Sequence, residues 1–145
     1  MPVQNAKRLM VLGRLGRAQW RLAIAAAITL AMASSVLRLT PFRRAIRFGS
    51  VALGRKRPRP GVVRNCVWAI EAIGRRVPWR SACIQQGLAL QRMLRVRGVD
   101  ARLHYGVRQD AASGRLEAHV WVTVGGEAVI GGAEAGEFAE VAAYP

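Results

Sequence analysis

The stretch Glu117–Gly132, EAHVWVTVGGEAVIGG, constrains the fold more than any other. Two alternating runs flank a Gly-Gly pair, the signature of a tight two-residue hairpin turn. Along the first run His119, Trp121 and Thr123 share one face, and Val120, Val122 and Val124 share the other, which is the natural core face. The return strand is expected over 127–132. An earlier alternating run, ARLHYGV at 101–107, predicts another strand, with His104 on the polar side beside Arg102 and Gly106. The intervening RQDAASG, 108–114, predicts a loop.

Everything before this sheet reads as helix. A run over about 82–97 stops at Gly98, a common helix terminator. Residues 62–76, VVRNCVWAIEAIGRR, place Val62, Cys66, Ala69, Ile70 and Ile73 at three-to-four spacing, so Cys66 falls on a buried face as a small hydrophobe. Residues 7–38 predict one or two helices, and Thr40 can cap a short basic helix that begins near Pro41. The clearest linker is GRKRPRPG, 54–61. The expected class is α+β: N-terminal helices, then a cysteine-bearing helix packed on an antiparallel sheet. The expected division is a basic apolar helical segment over 1–60 and a catalytic-type core over 61–145.

The net charge of +15 is unevenly placed. Residues 1–60 carry 13 Lys and Arg and no acid; residues 61–145 carry 10 Arg and 8 acids. Such asymmetry suits an anionic partner, but 21 of the 23 basic residues are Arg in an Ala-rich chain, and coding bias is a sufficient explanation. The basic stretches lack the interleaved aromatics that stack bases, so no nucleic-acid partner is expected. Two cysteines make no disulfide framework, and no Cys/His spacing suits a metal; neither metal nor cofactor is expected, and a reducing cytoplasm is the simpler setting. LAIAAAITLAMASSVL, 22–37, is uncharged and, at 16 residues, shorter than the roughly 20 of a membrane span. A helix packed on the domain is the first reading, a membrane-surface helix the second and a signal peptide the third.

Cys83 opens its helix in VPWRSACIQQGLAL, 77–90. Ser81 can cap that start, and a helix N-terminus favours a thiolate while its free N–H groups can hold an oxyanion. Gly87 lies one turn below Cys83 and lets a strand approach closely. A strand histidine can then take and return the thiol proton. Pattern does not choose between His104 and His119, and each alone is more often a surface or satisfied residue. Trp79 serves equally well as a cleft wall or as core.

The residues PWRSACIQQGLALQRMLRVRGVDARLHYGV and then EAHVWVTVGGEAVIGG resemble, over 77–132, the transglutaminase-like cysteine proteases that remove leader peptides in lasso-peptide biosynthesis. The shared pattern is a cysteine opening a leucine-rich helix that ends in Arg-Gly, a strand ending Gly-Val, and an AHAW-type hairpin. The resemblance implies a papain-like core with Cys83 as nucleophile and His119 as base, and Trp79 and Trp121 as substrate-contacting candidates. It implies a ribosomally made precursor peptide as substrate, a separate leader-recognition protein, and an asparagine-synthetase-like cyclase acting next. The basic N-terminal part is then a candidate surface for the recognition protein or the leader, and contact with a membrane surface stays open.

The family's third catalytic residue is an Asp on the strand after the histidine, where this chain has Ile130-Gly131-Gly132. A two-residue turn pairs Val124 with Glu127 and sets His119 opposite Gly132. Glu134 then lies on the face of His119 and is the expected orienting acid; a backbone carbonyl or water is the substitute. The competing class is a non-catalytic peptide-binding or membrane-associated scaffold with a degenerate site.

Overall fold

The computed structural model describes residues 16–79 and 82–145. Helix α1 (Arg17–Leu39) starts where the Gln19 side chain accepts the Gly16 N–H, at 3.0 Å, and ends at Thr40. Thr40 does not cap the next helix. Its hydroxyl turns back onto the Val36 carbonyl, 2.7 Å away, closing α1 instead. The single turn α2 (Phe42–Ala45) follows Pro41, and α3 (Val62–Gly74) and α4 (Cys83–Val96) complete the helical layer. The expected start of the first helix at residue 7 and the Ser81 cap lie outside the described residues.

Four antiparallel strands form the second layer in the order β3-β2-β1-β4: β1 (Ala101–Gln109), β2 (Leu116–Val124), β3 (Glu127–Ile130) and β4 (Ala139–Tyr144). The model is thus α+β, as the alternation of periods predicts. Gly125 and Gly126 both have positive φ, 60° and 86°, and Val124 pairs with Glu127, so the hairpin turn is the two-residue type. Strand β4 was not foreseen; the acidic C-terminal stretch pairs with the free side of β1.

One core joins the layers. Ala26, Leu30 and Ala33 of α1 and Ile46 meet Ala69 and Ile70 of α3, Leu88, Leu90 and Leu94 of α4, and Leu103, Val120 and Val122 of the sheet. Cys66 sits fully buried in this cluster, on the apolar face its spacing indicates. The core is continuous from residues before the 54–61 stretch to residues after it.

Residues 48–54 run along α4 and are fastened to it. Arg92 donates to the Phe48 carbonyl (2.9 Å) and lies over the Phe48 ring; Arg95 donates to the Val51 carbonyl (2.7 Å); and the Gly54 N–H donates to the Arg95 carbonyl (2.8 Å). Gly49 lies so close to the buried Gln91 that a Cβ would come 2.1 Å from its Oε1. The Gln91 Nε2 donates to the Tyr144 carbonyl, tying α4 to the end of β4 (3.0 Å).

Helix α1 is long and apolar enough to cross a membrane by length and composition. One side packs on α3 and α4. Its other side exposes Trp20, Ile24, Ile28, Met32 and Leu39, a stripe at roughly four-residue spacing.

Candidate active site

Cys83 is the first residue of α4 and is exposed. The Gln86 N–H makes the first bond of this helix, to the Ala82 carbonyl, and no side chain caps the helix among the described residues. Among the described residues the N–H groups ahead of Gln86, beside Cys83, have no partner.

Gly87 seats the helix on the sheet. A Cβ there would lie 2.9 Å from Leu103 Cδ1 and 3.1 Å from Val120 Cγ2, so only glycine permits this approach. Two strands come close here: β1 through Leu103, and β2 through Val120, the valine next to His119.

The connectivity fixes where Cys83 lies along the sheet. Helix α4 joins β1 through Arg97–Asp100, and Ala101 pairs with Val124. The C-terminal end of α4 is thus at the Val124 end of β2. Fourteen helical residues rise about 21 Å, and the strand from Val124 back to His119 rises about 17 Å. Cys83 and His119 therefore occupy the same end of the domain.

They differ in the face they address. Val120 and Val122 face α4, and His119, Trp121 and Thr123 face away from it, as the alternation predicts. Cys83 and His119 make no hydrogen bond with each other among the described residues. The β2–β3 ladder ends at the Val122–Ile130 pair, and beyond it Gly131 lies against the Val120 carbonyl and Trp121.

His119 is held nonetheless. Its Nε2–H donates to the Gly131 carbonyl at 2.8 Å, which leaves Nδ1 as the basic nitrogen. The ring lies between Trp121 (6.2 Å between centroids) and Phe138 (5.1 Å). Gly106, the cross-strand partner of His119, makes room for both: a Cβ on it would come 2.9 Å from Phe138 Cβ and from Trp121 Cζ3.

The register expected for this hairpin needs correction. A bulge between Val122 and Thr123 sets Val122 opposite Ile130, and the ladder stops there, so His119 is not paired with Gly132. The bulge turns the Gly131 carbonyl toward the ring. Glu134 sits instead at the start of the exposed turn Ala135–Glu137, and no contact between it and His119 occurs among the described residues.

The second histidine has a full set of partners that the sequence did not reveal. His104 Nδ1–H donates to the Glu140 carboxylate (3.0 Å), its Nε2 accepts the Thr123 hydroxyl (2.8 Å), and its ring stacks on Trp121 at 5.4 Å and 6°. Only the pairing of β4 with β1 brings Glu140 into reach. Arg108, nearby on the same sheet, pairs with Glu117 and Glu137, stacks on Phe138, and is held above its usual range chiefly by the Glu117 bond.

Trp79 is half-buried, and its Nε1–H has no partner among the described residues; the Oε1 of Gln85, two residues past Cys83, is likewise buried and unpaired. Trp121 is almost wholly buried beneath the two imidazoles. Burial raises the Cys66 thiol above its ordinary value, with the positive charge of Arg97 acting the other way. No group of three or more His, Cys, Asp or Glu suited to a metal occurs among the described residues.

The family model for the transglutaminase-like superfamily matches residues 11–143. The chain belongs to that superfamily. Within this transglutaminase-like domain the match runs from before α1 into β4, so the N-terminal helices fall inside it. No curated protein and no solved structure matches the chain. As a transglutaminase-like domain it carries a cysteine at a helix start and a histidine on the neighbouring sheet, with a glycine carbonyl on the imidazole where the resembled proteases place an Asp.

Proposed function

We propose that this chain is a cysteine peptidase that removes the leader from a ribosomally made lasso-peptide precursor, before a separate asparagine-synthetase-like cyclase closes the macrolactam. The observation that carries the reading is the His119 Nε2–Gly131 bond, which fixes the tautomer needed for a base at Nδ1. Superfamily membership and the exposed Cys83 at a helix start support it.

In this reading His119 Nδ1 takes the Cys83 proton, and the thiolate adds to the scissile carbonyl. The first N–H groups of α4 stabilise the oxyanion. Collapse expels the amine, which receives the proton from His119 and leaves a thioester. Water, deprotonated by His119, then hydrolyses the thioester and restores the thiol. The Trp79 N–H, which has no partner among the described residues, is a donor for the substrate backbone, and Trp121 supports the imidazole from below. Cys83 and His119 are not hydrogen-bonded as the structure stands, so this reading requires binding of the substrate or of the separate recognition protein to bring them together. Glu134 has no part in this scheme.

The second reading is a non-catalytic peptide-binding or membrane-associated scaffold. It is favoured by the open Cys83–His119 pair and by the apolar stripe on α1. Site-resolved iodoacetamide labelling separates the two. A peptidase labels at Cys83 faster in wild type than in His119→Ala, and cleaves a cognate precursor only with both residues present. Equal labelling rates in the two proteins, with no cleavage when precursor and recognition protein are added, would leave the scaffold. The chemistry proposed belongs in the cytoplasm, with α1 available to a membrane surface.

A further inference from the structure

A cleft of about 820 Å³ opens between the start of α1, the Arg59–Pro60 turn and the start of α3. Arg21, Arg59, Arg64 and Arg97 line it, and no acidic side chain does. None of the four has an ion-pair partner among the described residues. Residues 1–60 contain no acid at all, and the first in the chain is Glu71. Four arginines around one concavity with no acid among them give it a positive potential that favours an anion from outside. Arg97 is fixed in place by donating to the Met93 carbonyl at 2.9 Å. Helix α3 follows Gly61 with no side-chain cap on its first N–H groups, and its first turn lines the cleft through Val62, Arg64 and Asn65.

Between the arginines the walls are mixed: apolar Leu22, Pro60, Val62 and Trp68, with the amides of Gln19 and Asn65. A nucleic acid asks for a basic track with several stacking aromatics, and Trp68 is the one aromatic here. Acidic groups alternating with apolar ones fit better. The geometry points to an exosite for an acidic, apolar peptide segment of the substrate.

This assignment rests on the peptidase reading for its purpose, and its position adds a length rule. Arg97 caps the C-terminal end of α4, and Cys83 opens the other end, about 21 Å away. An extended peptide covers that distance in about six residues. The acidic segment therefore lies at least about six residues from the bond that is cut.

Binding can be read without catalysis, in full-length chain carrying Cys83→Ala. The probe is a short fluorescein-labelled peptide of alternating Glu and Leu, followed by anisotropy. Its Gln-for-Glu counterpart and a single-stranded oligonucleotide of similar length are the comparators. The expected result is saturable binding of the Glu peptide, weakened about tenfold by Arg64→Ala and by Arg59→Ala, and more by Arg64→Glu. Arg115→Ala, on the distant β1–β2 loop, should bind as wild type, and unchanged melting confirms that each variant is folded. Equal affinity for the Gln peptide, indifference to Arg59 and Arg64, or tighter arginine-dependent binding of the oligonucleotide overturns the assignment. A chain that binds the Glu peptide but cleaves no precursor would sink the peptidase reading alone.

Discussion

His119 and Gly131 are joined side chain to backbone, Nε2–H to carbonyl, at 2.8 Å, at the point where the β2–β3 ladder ends. A carbonyl cannot be titrated away or protonated, so this restraint on the imidazole is independent of pH, unlike one made by a carboxylate. It also lacks the negative charge that would stabilise an imidazolium. The pair should therefore be slower than a full Cys-His-Asp set but uniform in its tautomer. His119→Ala is expected to lower turnover of a cognate peptide at least a hundredfold, the ordinary worth of a positioned base. His119→Gln, which keeps a donor for Gly131, should fold like wild type and be equally inactive, as circular dichroism and a cleavage assay would reveal.

Gly87 offers a packing test. Alanine would gain helix propensity but place its Cβ against Leu103 and Val120. The overpacking outweighs the gain, so Gly87→Ala should lose about 1 kcal/mol of stability and Gly87→Leu about 3. Urea unfolding measures both, and an increase in stability would mean that the helix rides higher on the sheet than the structure places it.

The two cysteines should behave oppositely. Cys83 is exposed and Cys66 is buried, so native iodoacetamide labelling should be confined to Cys83. Burial raises the folded Cys66 thiol above its ordinary value of 9.0. A raised folded pKa leaves the contribution intact below 9.0 and removes it as pH climbs from there toward the folded value, because only the unfolded chain ionises freely. Wild type should therefore lose stability relative to Cys66→Ala above about pH 9. Parallel stability profiles for the two proteins would contradict this.

His104 is the knot between three strands, through Thr123 on β2 and Glu140 on β4. Removing a largely buried imidazole with two bonds should cost about 2 kcal/mol, against at most about 1 for the half-exposed Glu140. The loss should centre on β4: in His104→Ala the Ala142 and Tyr144 amides should exchange faster than those of β2 by hydrogen exchange. Equal acceleration across the sheet would argue against a local role.

The legible parts of this fold are those decided by near neighbours. Gly125-Gly126 dictated its own turn, Gly98 its helix end, and the His119/Val120 alternation its two faces. What escaped depends on distant partners. Strand β4 exists because β1 has a free edge, and nothing within AEVAAY announces it. The bulge at Val122–Thr123 shifts a register that counting from the turn gets wrong by one, and with it the neighbour of His119. Thr40 had two helices to serve, and only the geometry of the α1 end selects Val36. The Glu140–His104–Thr123 set spans three strands, so spacing carries no trace of it.

The strap of residues 48–54 bears on how the molecule can be handled. Arg92 and Arg95 each donate to one of its carbonyls, and Gly49 covers Gln91. A chain begun after residue 60 would remove those carbonyl acceptors, leaving Arg95 with its Asp100 pair, and uncover the hollows left by Leu30 and Ile46. The half that carries Cys83 and His119 shares its core with the basic half, so it is expected to lose stability when grafted or expressed without it.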